Sequence, residues 1–453
     1  MKKNENEFAL KADDFGEDFK WGVSTAAYQI EGAYDKHDKK ASIWDTFTTK
    51  KGKIYSGHHG KIATDFYHNY QQDIDLMQRM NIKNFRFSLS WARLIPDGVG
   101  KKSSHGVAFY NKVINYCLQC GITPWVTLYH WDLPQKLQDK GGWTNRSIIQ
   151  WFQEYAEFCA LQFGDRVKNW MVLNEPMVFT GAGYFLGVHA PGKKGMRHFI
   201  PAIHHATLCQ AVGGRTLRSH VKNAYIGTTF SCSYIQAFST HKKDILAANR
   251  ANALLNRLFI EPALGLGYPT EDIAALKRIT SYIMPGDDKK VIFNFDFIGV
   301  QVYTREIVKY SWWTPYLKAK LVKATDRNVA TTLMDWEVYP PSICKMIEQF
   351  NAYKGVGDII ITENGSAFTD RVLNEKVYDP KRLSYLQAHL KQLRKAQILG
   401  SQVKGYFVWT FTDNFEWAEG YYPRFGLVYV DFKTQKRIIK TSGKWFANFL
   451  KSK

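Results

Sequence analysis

Two short stretches, Asp358-Ile359-Ile360-Ile361-Thr362 and Gly405-Tyr406-Phe407-Val408-Trp409-Thr410, decide how the chain folds. Each is an almost unbroken apolar run with no alternation of polar residues. That pattern belongs to a strand buried on both faces, as in a parallel sheet covered by helices. Working outward, similar runs stand at 19–24, 84–90, 124–128, 170–173, 225–229 and 297–302, about eight with the first two. Between them lie segments of helical period at 66–80, 107–119, 147–163, 200–219, 342–352 and 380–399, and another follows the last strand at 442–450. Alternating β and α units give either an open doubly wound sheet or a closed (β/α)8 barrel, and a count near eight favours the closed TIM barrel. The first βα turn lacks Gly-x-Gly-x-x-Gly and the chain lacks the P-loop motif, which removes support from the nucleotide-binding open sheets.

Composition agrees with one large α/β unit. The 453 residues are 45% hydrophobic and 23% charged, ordinary globular values that exclude disordered, collagen-like and coiled-coil chains. No Pro/Gly/Ser-rich linker or low-complexity tract divides them, so 1–453 reads as a single catalytic domain, with 1–14 a poorly ordered N-terminal extension. The net charge of +20 raises nucleic acid and anionic membrane as partners. The lysines and arginines are scattered in short clusters, however, which reads as a solvated basic surface with neither partner. Six cysteines without a second Cys-x-x-Cys read as reduced, buried thiols. The charged N-terminus has no signal-like apolar core, and no apolar run reaches the length of a membrane span; the expected location is the cytoplasm. The histidines lack ligand-grade spacing, so no metal and no cofactor are expected.

In a (β/α)8 barrel the chemistry gathers at the C-terminal ends of the strands. Those positions hold Gln29, Arg86, His130, Trp131, Asn174, Glu175, Tyr303, Glu363 and Trp409, followed by Glu416 and Trp417. Glu175 and Glu363 are carboxylates on different strands that converge if the barrel closes. Two such groups suit glycosidic bond cleavage: one protonates the leaving oxygen while the other attacks the anomeric carbon, at the separation of about 5 Å that retention of configuration requires. The neighbouring residue types match a sugar. Gln29, His130, Asn174 and Glu416 can pair with hydroxyls, and Trp131, Trp409 and Trp417 offer flat faces to a pyranose ring. Arg86 can keep a nearby nucleophilic carboxylate ionised, and the Tyr303 hydroxyl can orient it. A glutamate in a loop is ordinarily a solvated charge, so the weight rests on the two occurring together.

Six motifs in order carry a resemblance. They are Phe19-x-Trp21-Gly22-x-x-Thr25-Ala26-x-Tyr28-Gln29-x-Glu31-Gly32, Arg86-Phe-Ser-x-Ser-Trp91, Thr127-Leu-Tyr-His130-Trp131-Asp-x-Pro134, Asn174-Glu175-Pro176, Ile361-Thr-Glu363-Asn364-Gly365 and Asp413-Asn-Phe-Glu416-Trp417-x-x-Gly420. Over 15–445 the chain resembles glycoside hydrolase family 1, the β-glucosidase family. The resemblance implies a (β/α)8 barrel that hydrolyses β-linked glycosides with retention. It makes Glu175 the general acid/base and Glu363 the nucleophile. It makes Gln29, His130, Asn174, Glu416 and Trp417 contacts to the glycone, Trp409 the pocket floor and Trp336 the aglycone platform.

The same resemblance sets the rivals. Members of the myrosinase type replace the acid Glu with Gln, whereas this chain keeps Glu175; a sugar-binding pseudoenzyme would have lost one carboxylate. Phospho-glycosidase members carry Ser where Glu416 stands, so a neutral sugar is expected over a 6-phosphate. Glucose, galactose and fucose all remain open as glycone. Two departures stand out: Gln301 replaces the usual Asn after strand six, and Asp335 replaces the usual Gly before the platform Trp. Both are read as changes on the aglycone side.

Overall fold

The computed structural model describes residues 8–452. Eight strands alternate with eight principal helices: β1 (Lys20–Ser24), α1 (Phe66–Arg79), β2 (Asn84–Ser88), α2 (Ser104–Gln119), β3 (Thr123–Tyr129), α3 (Ile148–Phe163), β4 (Asn169–Asn174) and α4 (Met196–His220). The second half runs β5 (Tyr225–Ala237), α5 (Lys242–Asn252), β6 (Phe297–Tyr310), α6 (Pro341–Asn351), β7 (Asp358–Asn364), α7 (Pro380–Ile398), β8 (Val403–Trp409) and α8 (Thr441–Phe449). Each strand pairs in parallel with the next, and β8 pairs with β1, which closes the expected barrel.

Strand alternation sorts side chains between the helical layer and the barrel interior. On β2, Phe85 and Phe87 join the outer core, while Arg86 points inward. Trp125, Met171, Phe297, Ile360 and Phe407, from five strands, pack into a plug that fills the lower barrel. Below it Phe15 and Phe449 lie edge-on to Trp21, with ring centroids at 4.9 and 5.0 Å. Residues 1–7 of the expected N-terminal extension lie outside the described residues. From Phe8 onward the extension packs under the barrel, with the Phe8 ring 5.3 Å from Trp445.

The largest difference from the sequence reading is the length of β5 and β6. Both continue past the rim, with Tyr234–Ala237 opposite 305–308, and a short antiparallel strand, Ala319–Val322, adds to the outer part of β6. One side of this extension is sealed by α5, whose Ala247, Ala248 and Ala251 bury against Val308 and Ala319. That small-residue contact permits the close helix approach and sustains strands whose own sequence is mixed in polarity.

Candidate active site

Arg86 is wholly buried where the strand ends meet. Its Nη1 donates to Glu363 Oε1 at 2.5 Å, and its Nη2 donates to Asn174 Oδ1 at 2.5 Å. One guanidinium thus joins the ends of β2, β4 and β7, the planar fork geometry that suits Arg and not Lys. The Tyr303 hydroxyl donates to Glu363 Oε2 at 2.6 Å. Asn174 Nδ2 lies 3.0 Å from His130 Nε2. Burial, and then the charge of Arg86, keep this histidine far below its ordinary pKa. In the neutral ring Nε2 therefore accepts from the amide and Nδ1 carries the proton.

Local backbone places the remaining groups. Glu175 has φ 47° and precedes a helical turn that begins at Pro176, where the missing N–H costs nothing and the preset φ starts the helix. Trp131 and Trp417 also hold positive φ, at 76° and 50°. Such left-handed non-glycine residues cost about 1–3 kcal/mol each and gather at functional sites. Gly365 has a different reason to be glycine: a Cβ there would stand 1.8 Å from the Trp409 carbonyl oxygen, so only glycine lets the end of β7 approach β8. Glu416 sits on the loop after β8 and receives Gln29 Nε2 at 3.3 Å, the same amide that donates to the Phe415 carbonyl at 2.9 Å.

These residues surround a pocket of about 290 Å³ above the plug. His130, Trp131, Glu175, Tyr303, Trp336, Glu363, Trp409, Glu416 and Trp417 line it. Gln29, Arg86 and Asn174 stand behind this wall, fully buried, and hold lining residues in place. Trp312 and Trp313 lie exposed on the loop beyond β6, outside the lining.

The electrostatics separate the carboxyls. Burial, and then the negative charge of Glu363, push Glu175 well above the ordinary glutamate range. Glu363 is also raised by burial, but Arg86 and Tyr303 act against that rise. Of the two, Glu175 holds its proton and Glu363 is the one stabilised as an anion. Burial and the charge of Glu363 push Glu416 up to about 8.

Gln301 corrects the sequence reading. The expectation puts it on the aglycone side, yet it lies against the ends of β4 and β7, its Nε2 donating to Glu363 Oε1 at 2.8 Å and to Asn174 Oδ1 at 2.9 Å. The reason is register: Gln301 is level with Glu363 on the adjoining strand. Asp335 has φ 57°, which explains why glycine is the usual residue there and why aspartate, tolerant of this region, can replace it. The following Trp336 packs 5.1 Å from Tyr303 and 6.1 Å from Phe425. Sequence reasoning missed Ser231, Ser233, Thr304, Glu306 and His189 in the lining. The first four lie beyond the ends read for strands five and six, and the continued strand carries them into the pocket.

The sequence model of Glycosyl hydrolase family 1 matches residues 11–453. The chain belongs to glycosyl hydrolase family 1. It is 40% identical to β-glucosidase A of Thermotoga maritima over 440 residues, covering 97% of this chain and 98% of that protein. It is 41% identical to a 1,4-β-D-glucan glucohydrolase of Thermotoga neapolitana over 441 residues, with 97% and 98% covered. Among solved structures, the Thermotoga maritima β-glucosidase in complex with glucoimidazole superposes with a TM-score of 0.91 at 40% identity, covering 95% of this chain and 97% of that one. This family 1 chain is accordingly a glycoside hydrolase on a (β/α)8 barrel, as the strand count and motifs anticipated. Among the described residues, no helix is long and apolar enough to cross a membrane.

Proposed function

We propose that the protein is a retaining β-glucosidase that removes terminal, non-reducing β-D-glucosyl residues, with Glu363 as nucleophile and Glu175 as general acid and base. The carrying observation is the inequality between two buried carboxyls of one pocket, Glu363 held by Arg86 and Tyr303 while Glu175 has no cation of its own. Glu363 attacks the anomeric carbon as the C–O bond to the aglycone breaks, and the Glu175 proton passes to the departing oxygen. The product is a glycosyl ester on Glu363. Glu175, now an anion, takes a proton from water as that water attacks the same carbon, which frees the sugar with its β configuration and restores both groups. This chemistry asks that the carboxyls lie about 5 Å apart.

Supporting roles follow from the contacts. Trp409 floors the glycone end and Trp131 and Trp417 wall it. His130 Nδ1 has no partner among the described residues and can donate to a sugar hydroxyl, and Gln29 steadies Glu416 as a hydroxyl partner. Trp336 is the aglycone platform. The names of the relatives and the glucose-like inhibitor bound to one of them support glucose as glycone. A 6-phosphoglycoside is disfavoured because, among the described residues, no Lys or Arg lines the pocket, whereas Glu175, Glu306, Glu363, Glu416 and Glu419 do. A cytoplasmic location is supported by six free, buried cysteines, the usage of a reducing compartment.

Azide rescue tests the assignment. Glu363→Gly should abolish hydrolysis of an aryl β-glucoside, a loss on the order of 10⁵-fold or more. Added azide should then restore turnover and yield the α-glucosyl azide. A β-azide from this variant would show that Glu363 is not the nucleophile.

A further inference from the structure

Beyond Glu175 and Glu363 the pocket has two unlike walls. Val178, Met334, Trp336 and Phe425 form an apolar one. The other, Ser231, Ser233, Thr304 and Glu306, is polar and comes entirely from the ends of β5 and β6. One of these polar groups is already engaged: the Thr304 hydroxyl donates to the Glu337 carbonyl at 3.0 Å. Ser231 stands beside Glu175, where its hydroxyl acts against the rise of that carboxyl. Asn256 fixes Ser233 through its backbone, accepting from the Ser233 N–H at 3.1 Å and donating to its carbonyl at 2.9 Å.

Glu306 differs from the other charged residues of this rim. Arg327, whose positive charge reaches it, is paired instead with Glu337 at 2.7 Å, and Arg305 also pairs with Glu337, at 2.8 Å. The Glu306 carboxyl makes no hydrogen bond or ion pair to another described side chain, and burial pushes it up to about 7. A half-buried carboxyl without a partner is costly to keep. One that faces a cleft is a candidate for binding what enters it.

We propose that Glu306 is a specificity residue that accepts hydrogen bonds from the hydroxyls of a sugar leaving group, and so raises activity on β-linked oligosaccharides relative to aryl β-glucosides. The proposal rests on the β-glucosidase reading of the same pocket. A pyranose seated past the scissile bond has an apolar face for Trp336 and a hydroxylated edge for Glu306 and Ser233. An aryl group has the face but lacks the donors. Either protonation state of Glu306 retains a lone pair for such a hydroxyl.

The test compares two substrates that share a glycone, cellobiose and 4-nitrophenyl β-D-glucoside, on the whole enzyme and its Glu306→Leu and Glu306→Gln variants. Loss of one hydrogen bond to this group should lower kcat/KM for cellobiose roughly tenfold in Glu306→Leu, mostly through KM. The aryl glucoside should change by less than about twofold. Glu306→Gln keeps an acceptor and should recover most of the loss. An unchanged cellobiose value, or an equal fall on both substrates, would overturn the proposal. A wild-type enzyme that cleaves neither compound would overturn the β-glucosidase reading and this inference with it.

Discussion

On one side of the loop after β8, Arg382, Arg424 and Lys440 meet Asp370, Asp379 and Asp413; on the other, Arg86 pairs with Glu363 in a site that also holds Glu175 and Glu416, with no second cation in its lining among the described residues. The first group is balanced. Lys440 Nζ reaches Asp370 and Asp413 at 2.5 and 2.7 Å, and Arg424 takes the other oxygen of Asp413 at 2.7 Å. Burial works against ionising Asp413, yet Lys440 and Arg424 hold its carboxyl below the usual range. The second group has too few cations, and its carboxyls are raised. The same low-dielectric interior thus serves two ends. Compensated charges clamp the loop that carries Glu416, and uncompensated ones keep a proton on Glu175, as the proposed acid requires.

The contrast can be broken first at Arg86. Arg86→Met removes the cation that favours the Glu363 anion, and kcat/KM should fall on the order of 10³-fold. The acid limb of the pH profile should move upward, because Glu363 would then need a higher pH to ionise.

Glu175→Gln removes the proposed proton donor. Hydrolysis of cellobiose should fall on the order of 10²–10⁴-fold. A dinitrophenyl glucoside, whose leaving group needs no proton, should still form the glycosyl-enzyme at a rate close to wild type, seen as a burst. Activity that depends on protonated Glu175 is lost as pH rises through its raised pKa, so the alkaline limb attributable to it should vanish in this variant.

On the balanced side, Lys440→Met leaves two buried carboxylates short of a partner and should cost about 3–5 kcal/mol of stability. Chemical denaturation would measure this, with kcat of the folded fraction far less affected. If Lys440→Met instead lowered kcat as much as Arg86→Met, the division between clamp and chemistry would be wrong.

The smallest change is Gln301→Leu. Losing its donation to Glu363 and Asn174 should lower kcat/KM about tenfold and move the acid limb up by less than Arg86→Met does. Gln301→Asn should recover part of the loss. Arg86, Glu175, Tyr303 and Glu416 also act on Glu363 or its neighbours, so the shift is read against the Arg86 variant.

Most of the barrel could be read from the sequence because its strands are continuous apolar runs. β7 was read as 358–362 and spans Asp358–Asn364, and β8 was read two residues late. The outer halves of β5 and β6 could not be read that way. Ser231-Cys-Ser-Tyr-Ile-Gln and Thr304-Arg-Glu-Ile-Val-Lys mix polar and apolar residues, and their pairing with each other under α5 holds them as strand. The helix escaped notice for a related reason, since its buried face is made of alanines. Glu175 and Glu363 came to one pocket because each stands at the end of a legible strand, and Glu416 and Trp417 because the loop they occupy follows one. Gln301 was misplaced, and Glu306 went unseen, because register between neighbouring strands and the length of an amphipathic strand are set by tertiary contacts.

The five-residue plug beneath the pocket has a kinetic consequence. With the lower barrel stoppered, a released monosaccharide must back out through the doorway by which the next chain end arrives. Such an enzyme trims one unit per visit and cannot thread along a polymer. Accumulated product queues in the space its substrate needs, so the end of a digestion should slow as a competitive traffic problem and not as a failure of the chemistry.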